Sequence, residues 1–425
     1  MKTIIIGAGF AGLSAAHALR GKCEVIEAGS RPGGLCRTEV EGGFTFDYTG
    51  HLMHLREGAA KDFILNNTPV RMNILERRAF IYSHGTYTGY PYQINNYGLP
   101  VKTVEENLRG FFRARLSGRV SEKSFLSWIN TSLGSGIAKN FMAPYNSKLW
   151  KHPLEKLTLE WLGRFVPSPS MEEVLEGILP KGRKGAGYNA NFYYPEKGGI
   201  ESVIKGIYEG VKDSVSLNEK GVRIDTERRV VITDKGKRPY ERLISTMPLK
   251  SLLEMTGKVT HRAYSKKLKA VNVYCLNIGF KLKKQIDMSW VYVPEKKHPF
   301  YRIGFPHNFS GLNAPEGFGS VFCEVSFHGN KPPAGTDGAI IEGLIAMGII
   351  ESRADIEVLL PMTLKGAYVI YDRERREILD KVVPELESKG IFLAGRYGRW
   401  EYSSMEDAVV EGFEAARRAS YKIKD

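Results

Sequence analysis

The sequence predicts an α/β fold in which a β-α-β unit is split along the chain and carries two insertions, one mainly helical and one an antiparallel sheet. Three observations carry this expectation. At the N-terminus a short apolar strand, KTIII, runs into the glycine turn GAGFAG and a helix. Apolar and polar residues alternate over 270–330, as in AVNVYCLNIGF and GSVFCEVSF, which is the period of a sheet. The tail pairs IFLAGR with MEDAVVEGFEAARRA, a strand and an amphipathic helix that return to the first domain.

The elements follow in order. KTIII (2–6), GAGFAGLSAAHALRG and CEVIEA read as strand, helix and strand. From about 57 to 190 the pattern is mostly helical, in segments such as VEENLRGFFRARL and EKSFLSWINTSL, with glycine and proline at the joints. IESVIKGIYEGV reads as a helix, and VRIDTERRVVITD and RLISTM as strands of the first domain. The expected boundaries are 1–88, 186–265 and 386–425 for the nucleotide-binding segments, 89–185 for the helical insertion and 266–385 for the sheet insertion. There is no internal repeat.

At 425 residues, 42% hydrophobic and 25% charged, the chain can bury real cores and is neither disordered nor fibrous. Cys23, Cys36, Cys275 and Cys323 are far apart and lack metal-ligand spacing. That fits a reducing, cytoplasmic setting and no metal site. No apolar run approaches the roughly 20 residues of a membrane helix. Lys2 and the apolar run after it imitate a signal peptide, but the glycine spacing argues against that reading. A net charge of +14 would suit a polyanion, yet the basic residues are scattered without a groove-reading or stacking motif, so no nucleic acid partner is expected.

Gly7, Gly9 and Gly12 fall between strand and helix, where the first makes a tight turn, the second admits a pyrophosphate and the third lets helix pack on strand. Glu27, fifteen residues past Gly12, ends the second strand, where its carboxylate can accept from a ribose diol. Strand, glycines, helix, strand and acid in this order predict a Rossmann-like dinucleotide site.

RPGGLCRT (31–38), with Gly34 and Arg37, resembles the second signature of the FAD-dependent amine oxidase and protoporphyrinogen oxidase superfamily, a GR2-type flavoprotein fold. IFLAGR, with Gly395 and Arg396 and a helix starting near Met405, resembles that superfamily's other flavin contact, the helix dipole facing the flavin ring. The resemblance implies FAD as cofactor.

Most of the remaining chain resembles, in patches, the UDP-galactopyranose mutases, more their eukaryotic than their bacterial type. FTFDYTGHLMHL resembles the mutase loop that sets a histidine beside the flavin, here His51, although Thr49 and Gly50 stand where the family reads two glycines. YPYQ (90–93) resembles a uracil-stacking segment and implies Tyr90, Tyr92 and Gln93 as one wall of a uridine pocket; PYNSKLW implies Asn146 and Trp150 as the other. WVYVPEKKHPFYRIGF resembles the segment presenting a diphosphate arginine, here Arg302, with Tyr292 upstream. EWLGRFVP implies Arg164 as a second arginine, one position early in register. Tyr368, 28 residues before Arg396, and Tyr402 are implied as diphosphate donors, and Asn189 as a neighbour of the sugar. For each tyrosine a half-buried core ring is the bland alternative.

The resemblance implies interconversion of the pyranose and furanose forms of a UDP-sugar, most simply UDP-galactose, with the N5 of reduced FAD as nucleophile on the anomeric carbon. His51, Arg164 and Arg302 are then the candidate catalytic residues, His51 tuning the flavin and the arginines holding the departing UDP. NADPH or NADH is a candidate reductant, and the chain a monomer or homodimer. The chief alternative is an FAD oxidase or desaturase of an amine, porphyrinogen or polyene, whose pocket would be apolar. A third is a nucleotide-sugar binder without turnover. No GxSxG, HExxH or Ser/His/Asp signature competes.

Overall fold

The computed structural model describes residues 2–163, 166, 168–180 and 191–421. Two candidate site residues, Arg164 and Asn189, lie outside the described residues.

A five-stranded parallel sheet is built in the order Ile391–Leu393, Arg242–Ser245, Thr3–Ile6, Glu24–Ile26, Val215–Ser216. Its strands come from the two ends and the middle of the chain, as the split unit predicts. Both faces are covered, so the central strand is a continuous apolar run: Ile4 and Ile5 are fully buried. Helices Phe10–Ala18 and Met405–Ser420 cover one face in backbone contact, and a Cβ at Gly412 would stand 2.3 Å from the Ala11 carbonyl oxygen.

The second core is a seven-stranded sheet, in the order Ile356–Val369, Ala270–Lys281, Phe318–Phe327, Arg302–Gly304, Trp290–Tyr292, Ala79–Ser83, Thr86–Gly89. Its pairs are antiparallel except Trp290–Tyr292 with Ala79–Ser83. This corrects the expected boundary at residue 88, because 79–89 form an edge of the large sheet. It also corrects the mostly helical reading of 57–190, since Met72–Glu76, Ala79–Ser83 and Thr86–Gly89 are strands. The aromatic and β-branched residues of AFIYS favour strand, and a partner more than 200 residues away supplies the pairing that local pattern cannot reveal. At the other boundary, helix Arg373–Ser388 belongs with the nucleotide-binding half: it packs on Ile391–Leu393, and its Glu385 pairs with Lys258.

The helical insertion runs from Val101–Ser117 through short helices to Ala143–Trp150. That last helix is pinned to the sheet by Lys148, whose buried ammonium donates to the carbonyls of Val293 at 2.8 Å and Glu295 at 3.0 Å. Tyr145, on the same helix, thereby faces Tyr292 and Tyr301.

Candidate active site

The nucleotide-binding end is made by backbone. Gly7 has φ +100°, and a Cβ there would fall 2.3 Å from Thr246 Oγ1. A Cβ on Gly12 would fall 1.9 Å from the Gly7 carbonyl oxygen. Around Gly9 the space is open, the nearest atom to a Cβ being Gly33 O at 3.9 Å. Gly9 is also the N-cap of helix Phe10–Ala18, with no side-chain cap and no acid in the first turn. The helix therefore offers unspent N–H groups and its positive dipole end to an anion.

Glu27 lies at the end of strand Glu24–Ile26, its carboxylate accepting from the N–H of Ala8 at 2.8 Å and of Gly29 at 2.7 Å. These two bonds fix the carboxylate and leave lone pairs for a diol. Arg37 donates from Nη2 to Arg31 O at 2.6 Å and stands 4.0 Å from Glu27, while its Nε is buried without a partner. A buried orphan donor calls for an acceptor. Gly34 sits opposite, a Cβ on it reaching to within 3.9 Å of Gly9 Cα. Uncapped helix, fixed carboxylate, open glycine approach and orphan guanidinium N–H together fit a dinucleotide such as FAD.

The C-terminal turn also comes to this end. Gly395 has φ +78°, and Arg396 donates from Nε and Nη2 to Ser403 O at 2.9 and 2.5 Å. The following helix begins at Met405, as expected, and its first turn carries its own polar partners. Ser404 caps the Asp407 N–H, and Glu406 and Asp407 in the first turn pair with Arg56 at 2.6 and 2.9 Å. Part of the helix's positive end is thus answered from within the chain.

The second half of the site is made by side chains in register. One row crosses the antiparallel sheet from Tyr292 to Arg302 to Glu324 to Cys275. Residues paired across strands share a face, so Arg302 and Glu324 meet side by side. The Arg302 guanidinium binds Glu324 bidentately, at 2.6 and 2.7 Å, and Glu324 is fully buried. Glu324 holds the guanidinium well above even its usual range, against the opposing cost of burial. Sequence reasoning missed Glu324: the alternation in GSVFCEVSF sets Val321, Cys323, Val325 and Phe327 on one face and Glu324 on the other, and only the structure shows that this second face is buried as well.

Tyrosines surround this pair. Tyr292 lies 5.2 Å from Tyr90 and 5.4 Å from Tyr145, centroid to centroid. Tyr368 stacks on Tyr402 at 5.9 Å, Arg396 lies 5.1 Å over Tyr402, and Arg77 lies 4.9 Å over Tyr90. Tyr145 was also missed, although it directly precedes Asn146 in the PYN motif.

His51 links the two halves. Burial, then the charges of Arg396 and Arg302, push its pKa down to about 3, so it is a neutral imidazole at physiological pH. Its Nδ1 is buried without a partner. The loop before it keeps the backbone of a glycine despite the threonine: Thr49 has φ +77°, a left-handed conformation that glycine adopts freely and a β-branched residue does not. Gly50 lies against the ring of Phe322, 2.8 Å from where a Cβ would be.

Four expected ligand contacts are buried instead. Tyr92 is fully buried, stacked on Phe141 at 4.8 Å, and its hydroxyl accepts from Asn107 at 3.2 Å. Asn146 spends its amide inside its own helix, accepting from Trp150 Nε1 at 3.1 Å and donating to Met142 O at 2.8 Å. Trp150 packs edge-on against Tyr368 and Tyr402, and Gln93 is also buried. In this conformation Tyr90 is the ring of YPYQ with partial exposure, and Trp150 backs two site tyrosines from behind. Composition could not distinguish these faces, because polar groups near one another satisfy each other first.

Fold and cradle together define a two-domain α/β flavoprotein architecture with a Rossmann-like nucleotide-binding half, and a family profile for NAD(P)-binding Rossmann-like domains matches residues 5–65. Within that class the chain is similar to a reduced UDP-galactopyranose mutase, at 28% identity over 98% of this chain and 94% of that one, with a TM-score of 0.93. It is similar in fold to a protein assigned as a protoporphyrinogen oxidase from Exiguobacterium sp. 255-15, at 18% identity, 98% of both chains and TM-score 0.76. Putrescine oxidase with putrescine bound shares the fold at 15% identity, 98% of both chains and TM-score 0.68. Among the described residues no helix is long and apolar enough to cross a membrane.

Proposed function

We propose that this chain is a flavin-dependent UDP-galactopyranose mutase, interconverting the pyranose and furanose forms of a UDP-sugar, UDP-galactose in the simplest case. The observation that carries the reading is Arg302, locked on buried Glu324 and ringed by Tyr292, Tyr301 and Tyr368, with His51 between it and the nucleotide cradle. FAD is the proposed cofactor, held by Gly9, Gly34, Arg37, Glu27, Gly395 and Arg396. When reduced, by NADPH or NADH, it would supply a nucleophile for the anomeric carbon.

The chain's own residues bind and orient. Two of the five guanidinium N–H groups of Arg302 are spent on Glu324, which leaves three to receive diphosphate oxygens in a fixed plane. The phenols of Tyr292, Tyr368 and Tyr402 would donate to the same oxygens, and burial raises the first two, so they remain protonated donors. A leaving UDP held this way stays oriented for recombination. His51, neutral, would offer a hydrogen bond near the flavin without adding charge. Arg164 and Asn189 are proposed as further substrate contacts on the resemblance of their segments alone.

The oxidase or desaturase alternative shares the fold but calls for an apolar pocket, and the cluster here is phenolic and cationic. The test is anaerobic turnover: flavin-loaded protein reduced with dithionite and given UDP-galactofuranose, beside an oxidised control, with products separated by chromatography. Conversion confined to the reduced sample supports the reading. No conversion and no binding of UDP would discard it in favour of the oxidase.

A further inference from the structure

Three segments that carry site residues meet at one buried guanidinium behind the site, that of Arg375. Its Nε donates to Trp400 O at 2.7 Å and its Nη1 to Glu160 Oε2 at 3.0 Å, while its Cζ lies 3.9 Å from the centre of the Tyr371 ring. In the sequence Trp400 stands two residues before Tyr402, Tyr371 three after Tyr368, and Glu160 four before Arg164. The neighbours are tied to one another as well. The Tyr371 hydroxyl accepts from the Tyr402 N–H at 2.5 Å, and the Tyr371 carbonyl from the Thr158 N–H at 2.8 Å. Arg376, next on the helix, reaches the other carboxylate oxygen of Glu160 at 3.3 Å.

The helix itself gives no reason for an arginine here. Arg375 is the third residue of helix Arg373–Ser388, where a cation meets the positive end of the dipole. Burial adds a desolvation cost that only well-placed partners offset. The loop it grips, in contrast, needs an outside hold: Trp400 has φ +56°, a left-handed conformation that a bulky residue keeps only where its surroundings impose it. Arg375 binds the carbonyl of that residue, and Tyr371 binds the N–H two residues on.

We propose that Arg375 is a positioning residue for the diphosphate site, fixing the Tyr402 phenol against Tyr368 through Trp400 and Tyr371. The inference rests on the mutase reading above, in which those two phenols donate to the departing UDP. Arginine suits the task because one rigid plane offers donors in two directions and a face to an aromatic ring. Lysine keeps the charge and loses that geometry. The Trp400–Tyr402 loop would then relax and carry one donor away from the diphosphate, with Arg302 and Glu324 untouched.

The experiment measures UDP affinity by calorimetry, per bound flavin, on flavin-loaded wild type, Arg375→Lys, Tyr371→Phe, Tyr402→Phe and the double variant Arg375→Lys with Tyr402→Phe. Arg375→Lys and Tyr371→Phe should each bind UDP about tenfold more weakly, the loss of one charge-assisted hydrogen bond. The double variant should bind no more weakly than Tyr402→Phe alone, because the arginine acts through that phenol; a merely structural role would add its own loss. Should Arg375→Lys fail to fold, Tyr371→Phe keeps the ring under the guanidinium, removes only the acceptor of the Tyr402 N–H, and completes the same cycle with Tyr402→Phe. Additive losses, or single variants that bind UDP as wild type does, would overturn the proposal and leave the mutase reading intact. A flavin-loaded wild type that does not bind UDP would overturn both.

Discussion

The two halves of the site do different work with different parts of the chain. At the parallel sheet the groups offered to a nucleotide are largely main-chain: glycines that leave room and an uncapped helix end, with Glu27 and Arg37 as trim. At the antiparallel sheet the main chain serves only as a ruler, and the groups are side chains set opposite one another by strand register. The difference shows in what each half tolerates. The first fails when an atom is added at Gly7 or Gly12; the second fails when a charge loses its partner.

Four experiments would break or sharpen that contrast. The largest effect belongs to the first half: Gly12→Val should cost about 3 kcal/mol by overpacking against the Gly7 carbonyl and abolish flavin retention, measured by urea unfolding and bound-flavin absorbance. If the variant kept its flavin, the backbone-cradle account would be wrong.

Arg302→Met is of the same size: it strands Glu324 as a buried, unpaired carboxylate and should destabilise by about 3 kcal/mol, besides removing UDP binding. The double variant Arg302→Met with Glu324→Met should recover most of the stability and none of the binding. A double variant no more stable than the single one would show that the pair is not coupled as the register implies.

His51 gives a smaller, pH-dependent effect. Its folded pKa lies below its unfolded one, so the unfolded chain binds the extra proton, and the stability it contributes is present above about 6.5 and lost as pH falls toward 3. Melting temperature against pH should therefore fall less steeply in acid for His51→Gln than for wild type. Equal slopes would mean that the imidazole is solvated, not buried between Arg396 and Arg302.

The smallest effect is at Thr49, where replacement by glycine relieves a left-handed β-branched residue but adds chain entropy to the unfolded state. The net should be a gain of about 0.5 kcal/mol by urea unfolding. A loss would show that the threonine side chain has a role that its backbone conformation hides.

The sequence by itself determined the nucleotide-binding end. Gly7, Gly9, Gly12 and Glu27 lie within one β-α-β unit, and their roles depend on spacing along a strand, a turn and a helix, which are local and therefore written in order. It also placed the alternating strands, while Arg302 was singled out by the resemblance of its segment. Only the tertiary structure decided what these residues face. Glu324 became the partner of Arg302 because two strands align in one register, and a shift of one residue would have sent it to the other face. Ala79–Ser83 joined the large sheet because Trp290–Tyr292, more than 200 residues later, lies beside it. Tyr92, Asn146 and Trp150 turned inward because Phe141, Asn107 and their own helix satisfy them there. A motif specifies which groups are available, but burial and pairing between distant segments determine which of them remain free to meet a ligand.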